Sequence, residues 1–271
     1  MKNIVSFSGG KDSTAMLLMM IEKGMKIDEI IFCDTGKEFD ELYEHVNKVE
    51  KYIGQKITRL KSEHSYEYFL YDKEITKGPN KGNRGYGWTR MKNRWCTKEL
   101  KYLLINKHLK QYTEEYTQYI GIAYDEPKRI KNTAGFKYPL YEWKITEAEA
   151  LQYCYDKGFD FGGLYEHFNR LGCWLCPLQR IDDLYALYKH YPDKWQELKK
   201  IEMDMYKRIR YQDLTKIAPF NGRNNTVLSL DGRFKIRKLL EKRQELNDKN
   251  CLLVRFLLAP PNNKKLFSFH I

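Results

Sequence analysis

Apolar positions in the first half of the chain come in two alternating patterns. Ile4-Val5 is a short buried-strand run, and Ala15-Met16-Leu17-Leu18-Met19-Met20 is a helix-like run behind a polar turn. They predict a strand over 3–7 and a helix over 13–22. Glu29-Ile30-Ile31-Phe32-Cys33 reads as a second strand. Leu42, Val46, Val49 and Ile53 recur at helical spacing and predict a helix over 39–52. Strands follow at 56–60 and 116–120, with a helix over 93–109 between them. Strand–helix alternation of this kind implies an α/β fold, a parallel sheet with helices on both faces.

After Tyr138-Pro139-Leu140 the alternation stops. Thr146-Glu147-Ala148-Glu149 has the spacing of a capping box, so a helix begins there. Helical patterns continue at 164–170, 181–190 and 193–211. The expected division is a nucleotide-binding α/β domain over 1–145, a helical C-terminal region over 146–211 and a basic extension over 212–271. The stretch 250–271, with Pro260-Pro261 and the apolar run from Cys251 to Leu258, fits none of these elements.

The turn between the first strand and helix is Ser8-Gly9-Gly10-Lys11-Asp12-Ser13. A Gly-rich turn opening a helix leaves backbone N–H groups unpaired, and the helix dipole favours an anion there. Lys11 adds a full positive charge. The turn is not a Walker A loop, because Val5 stands where that motif needs Gly and Asp12 where it needs Ser or Thr.

Net charge changes the picture next. Lys and Arg total 48 against 36 Asp and Glu, a balance of +12 that favours a polyanionic partner. Nucleic acid, tRNA or DNA, is the usual one; a lysine-rich surface without such a partner is the alternative. Gly78, Gly82, Gly85 and Gly87 predict a loop over 76–90. Its basic run Lys77, Lys81, Arg84, Arg90 and, just beyond, Lys92 fits an RNA-contacting loop, a mobile lid or an ordinary solvated loop. No run approaches the roughly 18 apolar residues of a membrane span. The chain enters its first strand at once, and its six cysteines lie at scattered spacings. The expectation is a cytoplasmic protein without a membrane partner, a signal peptide or a disulfide scaffold.

Ser8 to Ser13 resembles the PP-loop of the ATP pyrophosphatase and adenine nucleotide alpha hydrolase superfamily. Asp34-Thr35-Gly36-Lys37-Glu38-Phe39 and Arg94-Trp95-Cys96-Thr97 resemble its phosphoadenosine phosphosulfate (PAPS) reductase branch, as does the Gly121-to-Arg129 segment. The resemblance implies ATP or a related adenine nucleotide held by Ser8, Gly9, Gly10, Lys11, Asp12 and Ser13. Mg²⁺ would be held with help from Asp12, Asp34 and Glu38 would face the nucleoside, and Arg129 would lie over the phosphates. Lys11, Asp12 and Arg129 are the catalytic candidates. The implied chemistry is adenylation of a substrate for sulfur transfer, with a sulfur donor protein as a further partner.

Gly172-Cys173-Trp174-Leu175-Cys176-Pro177 is a C-x-x-C in a turn, and Cys96 is a third candidate thiol. The family's iron–sulfur branch has a Cys pair where this chain has Trp95-Cys96. Three readings stand: a [4Fe-4S] cluster with one iron open, Zn²⁺ with His167 as fourth ligand, or small buried residues that bind nothing. Cys33, Cys154 and Cys251 are read as unrelated. Sulfonucleotide reductases carry a nucleophilic Glu-Cys-Gly that this sequence lacks. A PAPS or adenylyl-sulfate reductase releasing sulfite is therefore an alternative, and a nucleic-acid-binding module with a structural metal is another.

Overall fold

The computed structural model describes residues 1–78, 80–208, 220–221 and 225–258. Its elements run in the order β1 (Lys2–Ser6), α1 (Lys11–Glu22), β2 (Glu29–Asp34), α2 (Asp40–Ile53) and β3 (Ile57–Lys61). A π turn at Tyr68–Asp72 and an irregular lobe lead to α3 (Trp95–Thr97), a second π turn at Lys98–Tyr102 and α4 (Leu103–Leu109). Then come β4 (Tyr116–Ile120), β5 (Phe136–Lys137), α5 (Pro139–Glu142) and α6 (Glu147–Asp156). α7 (Leu164–His167), α8 (Ile181–His190), α9 (Pro192–Arg208) and α10 (Val227–Leu258) complete the described elements.

The five strands form one parallel sheet in the order β3-β2-β1-β4-β5. Strands buried on both faces must be apolar along their length, as Ile4-Val5 and Ile30-Ile31-Phe32 are. Val5, Ile30 and Phe32 pack against Met16, Leu17 and Met20 of α1 and Val46 and Val49 of α2. Ile4 and Ile31 point the other way, onto Leu109 and Ile105 of α4. The chain leaves β1 toward β2 and later returns to its other side with β4. The β1/β4 crevice is thus the topological switch point, where open α/β sheets bind ligands.

The helical region shares this core. Ala150 and Cys154 of α6, with Phe159 and Phe161, belong to the same buried cluster as Val5 and Leu17. Residues 1–224 accordingly form one compact unit that crosses the expected 145/146 boundary, and 225–271 form a second. The second unit is described by the long helix α10, braced along its surface by Asp231–Lys235 and Glu241–Arg237 pairs. No described helix is long and apolar enough to cross a membrane.

Three local departures from the sequence pattern have physical causes. The helix expected over 93–109 is broken by the π turn at Lys98–Tyr102. The pattern at 164–170 yields a helix only to His167, because Asp183 Oδ1 takes both the backbone N–H and the side-chain amide of Asn169 at 3.0 Å. The glycine-rich 76–90 stretch is partly folded: Ile75 and Asn83 pair across a turn at 2.9 Å, and Trp88 is only 2% exposed. The last three residues of the 193–211 pattern, and much of 250–271, lie outside the described residues.

Candidate functional site

The loop after β1 is held by its own hydroxyls. Ser13 Oγ accepts from the Ser8 N–H at 3.2 Å and lies 3.1 Å from Ser8 Oγ, while donating to the Gly10 carbonyl at 3.0 Å. Gly9 has φ +78°, and a Cβ there would come within 3.1 Å of Leu42 and 3.2 Å of Val46. Only glycine lets the loop lie this flat on α2. Gly121, at the end of β4, closes the other side: an added Cβ would sit 2.9 Å from the Ser13 backbone.

Charge is concentrated here. The Lys11 ammonium is nearly buried and contacts Asp12 at 2.9 Å and Glu147 at 2.7 Å. Burial raises the Asp12 carboxyl above its usual range, and Lys11 only partly opposes this. Arg129 lines the same cleft, its guanidinium paired with Glu126. Carboxylate oxygens of Asp12, Glu126 and Glu147 all lie within 4.8 Å of one another. Three hard oxygen donors beside a glycine loop that opens a helix suit Mg²⁺. Ser8, Gly10, Lys11, Asp12, Ser13 and Arg129 thus share one cleft. Glu126 and Glu147 add to the expected set. Glu147 is the residue after the capping-box Thr146, a position read only as a helix start.

Asp34 and Glu38 diverge from one another. Asp34 holds its own turn, accepting from the Gly36 N–H at 2.7 Å and the Tyr43 hydroxyl at 2.6 Å. Glu38 is 5% exposed; it accepts from Thr35 at 2.9 Å and lies 3.5 Å from the Cys173 sulfur. Its carboxylate belongs to the thiol pocket.

That pocket lies at the carboxyl end of β2. The C-x-x-C turn docks there through the Trp174 N–H on the Lys37 carbonyl, 3.0 Å, and Cys173 lies 3.1 Å from Thr35 Oγ1. Gln179 and Asn221 hold the turn's carbonyls, Gln179 that of Trp174 at 2.9 Å and Asn221 that of Pro177 at 2.9 Å. Cys96 enters from α3 and is the electrostatic neighbour of Cys176. Burial pushes the Cys173 and Cys176 thiols up. Lys101 is half-buried beside them. Burial opposes its charge, but Glu38 and the Cys173, Cys33 and Cys96 thiols outweigh that and raise its pKa. Cys33 and Cys154 pack in the core, and burial pushes their thiols to about 11 and about 12.

Tyr66 tests whether a sulfur-bearing metal group fits. The residue is 2% exposed, and its hydroxyl has no hydrogen-bond partner among the described residues. After its burial, the strongest influences on it are Cys96, Cys176 and Cys173. A buried, unpaired hydroxyl costs about 1–3 kcal/mol, so a donor in the neighbourhood of three thiols fits a group rich in acceptor sulfur. His167 stacks on His190 with ring centroids 3.8 Å apart. Sequence spacing could not reveal Tyr66 or Lys101, because both reach the pocket from separate segments.

Over 222 residues the chain is 29% identical to an uncharacterized protein of Methanocaldococcus jannaschii, covering 77% of this chain and 48% of that one. A second uncharacterized protein of that organism is 26% identical over 218 residues, 73% and 41% of the two chains. The chain thus spans less than half the length of these two relatives. An uncharacterized nin region protein of Escherichia phage lambda is 26% identical, with 86% and 83% covered. Among solved structures, PAPS reductase from Candida auris in complex with phosphate gives a TM-score of 0.46 at 17% identity, over 64% and 82% of the two chains. A U34-tRNA thiolase from Methanococcus maripaludis with its [4Fe-4S] cluster gives 0.39 at 16%, over 80% and 75%. Residues 2–179, which carry both the phosphate-type loop and the thiol turn, match the phosphoadenosine phosphosulfate reductase domain, and the chain belongs to that family of PP-loop proteins.

Proposed function

We propose that the protein binds ATP at the Ser8–Ser13 loop, adenylates an acceptor and supports sulfur transfer to it through a metal centre held by Cys96, Cys173 and Cys176. The observation that carries this reading is the pairing of two sites on neighbouring strands: a phosphate-type cleft after β1 and a thiol pocket after β2. The acceptor oxygen would attack the α-phosphorus as pyrophosphate leaves. Lys11 and the loop N–H groups stabilise charge on that leaving group. Asp12, Glu126 and Glu147 would hold Mg²⁺ against the phosphates. Displacement of AMP by a sulfur nucleophile would complete the transfer, with a donor protein supplying the sulfur.

The metal reading rests on the donor set. A tetrahedral zinc with S ligands at about 2.3 Å draws its sulfurs to about 3.8 Å apart. It would also need a fourth ligand, and the candidate His167 is stacked on His190, whereas a [4Fe-4S] cluster held by three thiolates leaves one iron open. When bound, such a cluster supplies an iron site able to hold sulfur. Around it, the Lys101 ammonium balances thiolate charge and Tyr66 offers a donor. Nucleic acid is the favoured acceptor, because Lys77, Lys81, Arg84, Arg90 and Lys92 are exposed on the lobe that leads into Cys96.

Pyrophosphate release from ATP by anaerobically purified protein, with an absorption spectrum and iron and zinc analysis, tests the core of this reading. Brown protein containing iron supports the cluster, and colourless protein with zinc overturns it. Binding to tRNA that weakens steeply with salt supports the nucleic-acid acceptor; no binding at low salt moves the acceptor to small molecules. Family membership favours a second reading, reduction of a sulfonucleotide, which sulfite release from PAPS with a thiol reductant would reveal.

A further inference from the structure

We propose that the segment 165–170, immediately before the Cys173/Cys176 turn, forms the second wall of the phosphate pocket, with Arg170 as a direct ligand of a polyphosphate chain and the Tyr165 hydroxyl as a second donor to it. The proposal rests on the reading of Ser8–Ser13 as the nucleotide site.

Tyr165 comes first. Its hydroxyl accepts the Lys11 backbone N–H at 2.8 Å, at the first turn of α1, where a phosphate-binding helix would offer its free donors. A phenol has one hydrogen to give besides the lone pairs it offers. The hydroxyl has no acceptor among the described residues, and Tyr165 lines the cleft with Ser8, Gly10 and Lys11. Burial keeps it protonated, so it remains a donor at neutral pH. The ring is fixed edge-on to Phe161 with centroids 4.9 Å apart. The backbone reaches this position through Gly162 and Gly163, both left-handed at φ +61° and +76°.

Arg170 follows five residues later. Asp183 captures Asn169 and ends α7, which places the next side chain on the same cleft. The cleft's basic residues are Lys11, Arg129 and Arg170. Lys11 is neutralised by Asp12 and Glu147, and Arg129 by Glu126. Arg170 pairs with no carboxylate among the described residues. A planar guanidinium with its donors unclaimed, beside a loop of backbone N–H groups, is suited to bidentate phosphate binding. Arg170 is also an electrostatic neighbour of Cys176. Arg170 lines the phosphate cleft three residues before Cys173, so nucleotide bound by it would bear on the segment that carries the C-x-x-C.

The test is equilibrium binding of ATP and of inorganic pyrophosphate to the full chain and to Lys11→Ala, Arg170→Ala, Arg170→Lys and Tyr165→Phe, each checked for folding by circular dichroism. Arg170 is exposed, so its removal leaves the core intact. Loss of a charged hydrogen bond corresponds to roughly a ten-fold or greater fall in affinity. Arg170→Ala should show this for both ligands, Arg170→Lys should recover part of it, and Tyr165→Phe should lose about three-fold or more. If Lys11→Ala weakens binding while Arg170→Ala and Tyr165→Phe do not, the second wall is disproved and the nucleotide site stands. If none of the variants changes binding, the nucleotide reading itself falls and takes this proposal with it.

Discussion

The phosphate loop and the thiol pocket sit at the ends of paired strands but are built in opposite ways. Six consecutive residues make the loop, and most of its stabilising bonds are internal, Ser8 to Ser13 and Ser13 to Gly10. The thiol pocket is assembled from remote pieces: Thr35 and Glu38 after β2, Tyr66, Cys96 on α3, Lys101 in a π turn, and the Cys173–Cys176 turn. A contiguous site keeps its shape when distant contacts change. An assembled site exists only while several packed segments agree. The two regions should therefore fail differently when a single residue is removed.

The largest effect is expected in the assembled pocket. Cys173→Ala removes the thiol that touches both Thr35 and Glu38. Near-complete loss of bound metal is expected, measured by metal analysis of anaerobic protein, while ATP affinity changes far less. Equal loss of both would mean that the two regions act as one site. Lys11→Ala should do the reverse. Charged hydrogen bonds are worth roughly 1.5–3 kcal/mol, so ATP affinity should fall ten-fold or more while metal content is kept. Titration calorimetry beside the same metal analysis checks both halves.

These differences also explain what the sequence could reveal. β4 over Tyr116–Ile120, α8 over Ile181–His190 and the Thr146 capping box all follow from local patterns. The Ser8–Ser13 turn is legible for the same reason, since its chemistry lies in one string. The π turn at Lys98–Tyr102 carries no period of its own and hides inside a helical pattern. Lys101 reads as one more surface lysine until the fold half-buries it beside Glu38. Glu38 reads as a nucleoside contact because its string lies next to the loop, yet Thr35 turns its carboxylate toward Cys173. Tyr165 and Glu147 touch Lys11 across more than a hundred residues of chain, a separation that no motif spans.

Gly121→Ala should have a smaller effect that sharpens the contrast. Its Cβ would meet the backbone of Asp12 and Ser13 at 2.9 Å, and backbone yields less easily than a side chain. Overpacking of this kind costs about 1–3 kcal/mol. Thermal melts should show that loss, and ATP binding should weaken because the first turn of α1 is displaced. The thiol pocket, at the end of the next strand, should keep its metal. A variant that melts like the wild type would show that β4 can retreat, and that the loop is held less tightly than its packing implies.

The smallest effect concerns Asp12 and pH. Burial raises its carboxyl above 3.8, with Lys11 opposing but not cancelling the shift. The folded protein therefore keeps this proton to higher pH than the unfolded chain does. Between the unfolded value and the raised one the native state binds more protons, so this group's contribution to stability falls as pH rises. Asparagine cannot ionise and escapes that loss, while Lys11 keeps Glu147 at 2.7 Å. Asp12→Asn should melt like the wild type near pH 4 and at most a few degrees above it at neutral pH. Mg²⁺-dependent release of pyrophosphate should drop, because one of three gathered carboxylates is gone. Higher stability with lower activity would mean that the loop carries a destabilising charge for its chemistry. A variant less stable than the wild type at neutral pH would mean that the Lys11–Asp12 pair outweighs the burial of the carboxylate. The loop would then depend on charge pairing as well as on its own hydrogen bonds, and its contrast with the thiol pocket would narrow.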